Sequence, residues 1–394
     1  MLCIEKERSR RDFSKMAGGG LLLLALLQLS GKSLPSQILD IVPEDKNPTE
    51  KPKGLGFTFS TKQCQNLGMN EQQTHDTLEK LCSLNFDIIR ICSYWDEIDK
   101  ESYFDFTKLD WQLEMAQKYG KEVILTVGIK SPRHPEFYFP DWILRKYPEV
   151  ESKPNPVESF PLVGEFALEY IQGTVIHTRD YSAISHYQVG NESLNQINAK
   201  SLSLSFFKRE LALVRSLKKM NQKILLTNAL TDPSEDIKVD EIINLRPDAF
   251  GTNVYYGVPN EYGGIPIPIQ TYRNIFSDNV EMLARWHDRL QALKIAAFAT
   301  ELQGEPWELW KSGKEILDQR EFRSANPKDS IDLAIKLKRL GYLPLFWGAE
   351  YWVAHHLKYG GEYWLKPMAD FANGFTLSPS LVPAGNNFHP DPQM

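Results

Sequence analysis

Two glutamates, Glu192 and Glu301, each close a short apolar run that is typical of a β-strand. Asn191-Glu192 follows residues 184–190, and Glu301 follows residues 295–300. When parallel strands close into a barrel, the side chains at their C-terminal ends converge on one mouth, where active sites form. Two carboxyl groups that face each other there are what the cleavage of a glycosidic bond requires. The pair therefore indicates carbohydrate chemistry, provided that a barrel positions it.

Short apolar runs of this kind recur along the chain, and helical patterns separate most of them. The runs cover residues 54–60, 87–92, 122–127, 184–189, 223–227, 249–255, 295–300 and 343–348, and amphipathic helices are predicted over 71–84, 109–119, 202–220, 279–293 and 330–340. Eight strands that alternate with helices are the signature of an α/β protein with a (β/α)8 TIM barrel. A doubly wound sheet is the alternative, but no glycine-rich phosphate loop follows any run. The barrel is therefore favoured.

The chain divides into four segments by composition. They are an export signal or membrane anchor at residues 1–33, a linker at 34–53, a main domain at 54–377 and an irregular tail at 378–394. Prolines mark both the linker and the tail. The main domain of about 320 residues contains neither low-complexity sequence nor a second linker. We therefore predict that it is a single domain.

The first segment has the pattern of an export signal. Basic residues precede an apolar stretch of about 13 residues, 17–29, which is shorter than the ~20 residues that span a bilayer. Residues 9–15, Ser-Arg-Arg-Asp-Phe-Ser-Lys, resemble the bacterial twin-arginine motif. We expect export to the periplasm or cell envelope. An ordinary signal or a membrane anchor stays open, as does cleavage, because no clear A-x-A site follows.

Composition and charge narrow the range of partners. A net charge of −6 and a pI near 5.8 argue against nucleic acid, which binds basic surfaces. Neither the cysteines nor the pair His355-His356 has the spacing or partners of a metal site, so we expect no metal and no cofactor. The four cysteines, of which Cys3 lies in the signal, do not define a disulfide.

The order of the motifs resembles the retaining (β/α)8 glycoside hydrolases, a clan that includes the cellulase-like family 5 and the β-glucuronidase and β-galactosidase barrels. In that clan an Asn-Glu pair at the end of strand four carries the acid/base, and a glutamate at the end of strand seven is the nucleophile. The resemblance therefore implies that Glu192 is the acid/base, with Asn191 beside it, and that Glu301 is the nucleophile. Asn-Glu also occurs at residues 70–71 and 260–261, but neither copy closes a predicted strand.

Three further positions match the clan. Arg90 lies inside the second apolar run, where a charge is costly unless it is paired, and the resemblance implies that it steadies the nucleophile. On the sixth run, Asn253 and Tyr255 point to the same side because strand residues alternate, and the clan's tyrosine hydrogen-bonds the nucleophile. The resemblance also implies that Trp347, on the eighth run, forms the floor of the sugar subsite.

Aromatic residues follow several of the predicted strands. Sugar rings can stack on such side chains, although packing within loops is an equal alternative. Of these residues, Trp95 and Trp307 are predicted to contact substrate. Other residues that could reach the cleft are Tyr94, His134, Trp310, Glu350 and Trp352.

The function predicted from these motifs is retaining hydrolysis of β-linked glycosides or polysaccharides by double displacement. The expected partner is a carbohydrate substrate, with membrane association through the N-terminal segment and the oligomeric state left open. The two carboxyl groups would then lie about 5–5.5 Å apart. A transglycosidase and a catalytically silent carbohydrate-binding barrel are the alternatives. The family 5 histidine pattern is missing from the sixth run, and the loop at residues 137–165 is long and rich in proline. The motifs therefore leave the sugar and the linkage open.

Overall fold

In the computed structural model, eight parallel strands form a closed barrel in which each strand pairs with the next one along the chain and the first pairs with the last. This is a (β/α)8 TIM barrel, as predicted. All strand ends lie within two residues of the predicted ones, except that the seventh strand continues to Gln303. The strands are β1 Gly56–Phe59, β2 Ile88–Cys92, β3 Glu122–Val127, β4 Ile184–Val189, β5 Lys223–Asn228, β6 Ala249–Val254, β7 Ala296–Gln303 and β8 Leu343–Trp347.

The structure describes residues 54–374 apart from 153–155, 161, 196–199, 231–234, 260, 263–264, 267–271, 274, 308–316, 318–323 and 361. The predicted export signal, linker and tail lie outside this part of the chain, as does Trp310. Within it, none of the helices combines the length and the apolar character needed to cross a bilayer.

Helices follow the strands. All five predicted amphipathic helices are present, with ends shifted by up to four residues. The helices are α1 Thr61–Asn66, α2 Glu71–Cys82, α3 Trp95–Ile98, α4 Thr107–Lys118, α5 Asp141–Lys146, α6 Glu149–Ser152, α7 Val163–Thr178, α8 Leu204–Leu217, α9 Glu235–Asn244, α10 Ile275–Ala292, α11 Pro327–Arg339, α12 Ala349–Tyr359 and α13 Leu365–Ala372.

Asn70 begins α2, as its position before a helical pattern predicts. Its side chain accepts a hydrogen bond from the backbone N–H of Gln73 (2.8 Å), and the Gln73 side chain accepts one from the backbone N–H of Asn70 (3.0 Å). This reciprocal capping box satisfies two N–H groups that would otherwise lack partners. The first Asn-Glu pair of the chain is therefore a helix start.

Alternation along β2 explains how a charged residue enters the barrel. Ile88 belongs to a small apolar cluster formed by residues of five other strands, whereas Ile89 and Ile91 belong to the larger core that includes the helices. Because alternate strand residues face the same side, Arg90 shares the interior face with Ile88 and lies one step nearer the mouth.

The three cysteines in the described part of the chain, Cys64, Cys82 and Cys92, are buried free thiols. Burial raises the pKa of each thiol, to about 12 for Cys82 and Cys92. They behave as small apolar residues, which agrees with the sequence-based interpretation of Cys82 and Cys92.

Candidate active site

Arg90, on β2, binds groups of β4, of the turn after β4 and of β7 at the C-terminal end of the barrel. Its Nη1 donates to Glu301 Oε1 (3.1 Å) and to the backbone oxygen of Thr300 (3.3 Å). Its Nε donates to Gln188 Oε1 and its Nη2 to Asn191 Oδ1, both at 2.7 Å. Arg90 and Glu301 are 1% and 4% exposed. Since each charge would be costly to bury alone, the pair explains how both are tolerated there.

Tyr255 binds the other oxygen of the Glu301 carboxyl group. Its hydroxyl donates to Glu301 Oε2 at 2.6 Å. Burial and the charge of Glu301 raise the pKa of Tyr255, so the phenol keeps its proton and remains a donor. Asn253, 4% exposed, pairs in register with Glu301 on the neighbouring strand. The predicted contacts of Arg90 and Tyr255 with Glu301 are therefore both present.

A bulge in β7 places Glu301 at this point. Ala299 pairs with Thr252 and Glu301 with Asn253, so Thr300 is an extra residue on the bulged strand. An extra residue reverses the alternation beyond it and turns the next side chain to the other face. The apolar run ends at Thr300 in sequence, whereas the strand continues through Glu301 to Gln303 because β7 still pairs with β8.

Glu192 lies in a tight turn after β4. Gly190 and Glu192 have φ angles of 63° and 46°. Both lie in the left-handed region of backbone conformation, which residues other than glycine rarely adopt. The backbone N–H of Glu192 donates to Thr227 Oγ1 (2.9 Å), and its backbone oxygen accepts from Lys130 Nζ (2.8 Å). Backbone strain held by specific contacts is common at functional sites.

The environment of Glu192 favours a protonated carboxyl group. Its pKa is raised to about 8, mainly because it is removed from water and also because Glu301 and Glu136 are negatively charged. Lys130 and Arg90 oppose the shift. The negative charge of Glu301 thus acts on Glu192, while Glu301 itself is bound by Arg90.

A loop after β3 adds a third carboxyl group. Lys130 Nζ lies 2.9 Å from Glu136 Oε2 and also donates to the backbone oxygens of Glu192 and Asn195. Lys130 is almost completely buried, so it needs these partners. It joins the loop after β3 to the turn that carries Glu192.

Trp347 ends β8 and is covered by arginine. The guanidinium carbon of Arg133 lies 3.9 Å from the centre of the Trp347 ring system, and that of Arg90 lies at 5.8 Å. Trp347 is only 5% exposed. The predicted floor residue therefore lies at the mouth, but Arg133 occupies one face of it.

Trp307 lies beside the site, as predicted. Its ring centre is 4.3 Å from that of Tyr255, and the side chain is half-buried. Its indole N–H donates to Glu305 Oε1 at 3.4 Å. Trp307 thus lies between Tyr255 and Glu305 at the mouth, and its contact with substrate stays a prediction.

Of four other predicted cleft residues, three are buried and one is exposed on a loop. Trp95 is 1% exposed, donates to Asp99 Oδ2 (3.1 Å) and stacks on Tyr170, so its prediction as a substrate contact is wrong and it is a core residue. Trp352 and Tyr94 are buried too, with indole N–H and hydroxyl groups bonded to the protein. His134 is exposed on the loop after β3. Trp95 and Trp352 lie in helices that follow strands, and both side chains pack into the core.

Five residues at the mouth escaped the sequence analysis: Gln188, Lys130, Arg133, Glu136 and Glu305. Gln188 could have been found, because a polar residue inside an apolar strand needs a buried partner, as Arg90 does. The others lie on loops, whose positions follow no repeating pattern. In the part of the chain that the structure describes, no group of three or more His, Cys, Asp or Glu side chains could hold a metal ion.

No protein-family model and no curated protein matches the chain in sequence. Solved structures match its fold. A β-galactosidase from Bacillus circulans sp. alkalophilus has a TM-score of 0.54 and 13% identity, and the match covers 82% of this chain and 56% of that one. A β-galactosidase from Marinomonas ef1 has a TM-score of 0.52 and 11% identity, and the match covers 75% of this chain and 54% of that one. An endo-β-1,4-mannanase from Thermotoga petrophila has a TM-score of 0.50 and 11% identity, and the match covers 76% of this chain and 68% of that one.

The chain spans about half the length of the two β-galactosidases. At this level of identity the likeness concerns the arrangement of strands and helices, and it does not extend to substrate. The chain is a (β/α)8 barrel similar in fold to these three enzymes.

Proposed function

We propose that the chain is a retaining β-glycoside hydrolase in which Glu301 is the nucleophile and Glu192 is the acid/base. The observation that carries the proposal is the unequal environment of the two carboxyl groups. Glu301 is bound by Arg90 and Tyr255 through different oxygens, whereas the pKa of Glu192 is raised to about 8. Two carboxyl groups with such different surroundings are suited to separate acid and nucleophile roles.

In the first step, Glu301 attacks the anomeric carbon, and the bond from that carbon to the leaving oxygen breaks. Glu192 gives its proton to that oxygen, so the leaving group departs as a neutral alcohol. In the second step, Glu192 takes a proton from water while the water oxygen attacks the anomeric carbon. The bond to Glu301 breaks, and two inversions give net retention.

Electrostatics adjust Glu192 between the two steps. The negative charge of Glu301 is one cause of the raised pKa of Glu192. When Glu301 forms an ester with the sugar, that charge disappears, and the pKa of Glu192 falls. The same residue that begins as an acid is then a better base for activating water.

Tyr255 and Arg90 support the nucleophile through different oxygens of its carboxyl group. Each binds one Glu301 oxygen, and a carboxylate oxygen has a second lone pair with which it can attack. Both groups are fixed by strands, so little reorganisation is needed when the charge moves onto the sugar. A binding protein needs no such support for a single carboxylate, which favours an enzyme over a silent carbohydrate-binding barrel.

The test compares Glu192→Ala with Glu301→Ala on two classes of substrate, namely natural β-glycosides and aryl β-glycosides whose leaving groups need no proton. Glu192→Ala should slow natural glycosides much more than aryl glycosides, and added azide should restore turnover with a β-glycosyl azide product. Glu301→Ala should lose activity on both classes, because the first bond cannot form. Glu241→Ala, which alters an exposed glutamate of α9, is the matched control.

Covalent labelling checks the nucleophile directly. A 2-deoxy-2-fluoro glycosyl fluoride should add one sugar to Glu301, located by peptide mass spectrometry. Equal losses on both substrate classes in both variants, or labelling of another residue, would show that the roles are misassigned. Sugar transfer to an added alcohol in preference to water would indicate a transglycosidase that uses the same residues.

A further inference from the structure

A second group of buried polar side chains lies next to Trp347. Arg133 pairs with Glu305 and with Glu350 (Nη2 to Oε2, 3.4 Å), and Gln63 Nε2 donates to Glu305 Oε2 at 2.7 Å. All four are less than 9% exposed. We name these four residues the Arg133 network. None of them has a part in the two-step mechanism above.

The network joins four separate parts of the barrel mouth. Gln63 lies on α1 after β1, Arg133 on the loop after β3, Glu305 after β7, and Glu350 on α12 after β8. Arg133 therefore reaches across the mouth, and it does so from a left-handed backbone position with φ 80°. Its guanidinium group also stacks on Trp347. Such a bridge fixes the shape of the mouth on this side.

Little space remains beside Trp347 on the side of β1 and β2. The cavity between β1, β2 and Trp347 measures about 10 Å³, which is about the volume that one water molecule needs. A pyranose ring cannot enter it. The residues that line it include Thr58, Ser60, Arg90, Tyr94, Pro132 and Trp347.

The positions of the two glutamates define which side of the cleft is closed. Glu192 protonates the leaving group, so the leaving group lies toward β4. The sugar that binds covalently to Glu301 lies on the other side, toward β7 and β8. In a ring of eight strands in chain order, β4 and β8 are opposite each other. Glu305 and Glu350 follow β7 and β8, so the Arg133 network reaches this side of the mouth, where Arg133 arrives from the loop after β3.

We propose that the Arg133 network leaves room for only one sugar residue on the nucleophile side, so that the enzyme removes single sugars from the non-reducing end of a chain. This inference rests on the proposed function and adds exo action to it. Internal cleavage would need a second sugar site where Arg133, Glu350 and Trp347 now pack.

The experiment compares two aryl substrates of the same sugar. The first is an aryl β-monoglycoside, chosen as the one the wild type cleaves best, and the second is the matching β-1,4-linked aryl bioside. An exo enzyme releases the aryl group from the monoglycoside at once. From the bioside it first releases a free monosaccharide, and the aryl group follows after a lag. Chromatography of the sugars released in the earliest turnovers distinguishes the two patterns.

Variants test whether the network causes this preference. Arg133→Ala should raise direct aryl release from the bioside, relative to the monoglycoside, by about tenfold or more in kcat/KM. If loss of Arg133 prevents folding by leaving two buried carboxyl groups unpaired, Gln63→Ala removes only one hydrogen bond and should shift the ratio in the same direction. Arg145→Ala, an exposed arginine on α5, is the control.

Three results would overturn the inference. One is the release of a free disaccharide by the wild type in its first turnovers, which shows internal cleavage while supporting the proposed function. Another is an unchanged product ratio in folded Arg133→Ala and Gln63→Ala. The third is the absence of both aryl release and Glu301 labelling with every substrate, which removes the proposed function itself.

Discussion

Among single residues, Arg90 has the contacts on which the site most depends. It lies at the junction of β2, β4 and β7 and binds a carboxyl group, two side-chain amides and a backbone oxygen. A guanidinium group can serve all four because its N–H groups form a fixed planar fork. A lysine has the same charge without that geometry, so the two properties can be separated by substitution.

We expect Arg90→Ala to reduce kcat/KM on an aryl β-glycoside by about a hundredfold or more, since removing one preorganised hydrogen-bond donor from an active site costs roughly 10²–10³ in rate. Arg90→Lys should be intermediate, because the charge near Glu301 remains while the bonds to Gln188 and Asn191 are lost. Circular dichroism and thermal unfolding check that the barrel persists. Near-normal activity in folded Arg90→Ala would contradict the role given to it.

The raised pKa of Glu192 predicts a pH dependence. The acid must carry its proton, so kcat/KM should fall as the pH rises through about 8, the pKa of that group. In Glu192→Gln, the residual hydrolysis of an activated aryl glycoside should no longer show this alkaline decrease. Rates measured across the pH range in buffers of constant ionic strength test it. An unchanged alkaline decrease in Glu192→Gln would assign it to another group.

At the scale of elements, the loop after β3 controls the turn after β4. Lys130 holds the backbone of Glu192 in its left-handed conformation, and Glu136 balances the charge of Lys130. The negative charge of Glu136 also contributes to the raised pKa of Glu192. One loop thus affects both the position and the protonation of the proposed acid.

Removing that charge should move the pH profile. In Glu136→Gln, one cause of the raised pKa of Glu192 is gone, so the alkaline decrease in kcat/KM should occur at lower pH. The exposed Glu151 on α6 provides the control variant, Glu151→Gln, with no shift expected. A shift of the Glu136→Gln profile to higher pH would mean that this charge acts on another group.

The strands were predictable because each is a short apolar run bounded by polar residues. The order of Arg90, Glu192, Tyr255 and Glu301 along these strands was predictable as well. Helix α7 was not predicted, because 11 of its 16 residues are buried and it shows no distinct polar face. The bulge that positions Glu301 has no sequence pattern of its own. The Arg133 network depends on loops that meet only after the barrel has closed.

At the scale of the whole molecule, several buried carboxyl groups link stability to pH. The pKa values of Glu192 and Glu210 are raised to about 8 and that of Glu350 to about 7, mainly by burial. In the folded state these groups keep their protons at pH values where the unfolded chain has lost them. Stability from this source is therefore complete at low pH and decreases as the pH rises through the folded pKa values.

Glu210 isolates this effect from catalysis. Its Oε1 accepts from the backbone N–H of Ile129 (2.9 Å), and a glutamine oxygen could do the same without titrating. In Glu210→Gln, the decrease in the free energy of unfolding between pH 5 and 8 should be smaller by roughly 1 kcal/mol per pH unit. Urea unfolding at several pH values measures it, with exposed Glu114→Gln as the control. Parallel curves for the wild type and Glu210→Gln would contradict it.

The closure of the barrel between β1 and β8 has a consequence for the linear order of the chain. Gly56 pairs with Leu345 and Phe57 with Phe346, so the strands form a ring that has neither a first nor a last member. What brings Arg90, Glu192, Tyr255 and Glu301 together is their order around that ring. A circular permutant that begins in the exposed turn at Gly120, with a flexible linker joining the former ends of the barrel, would therefore present the same mouth.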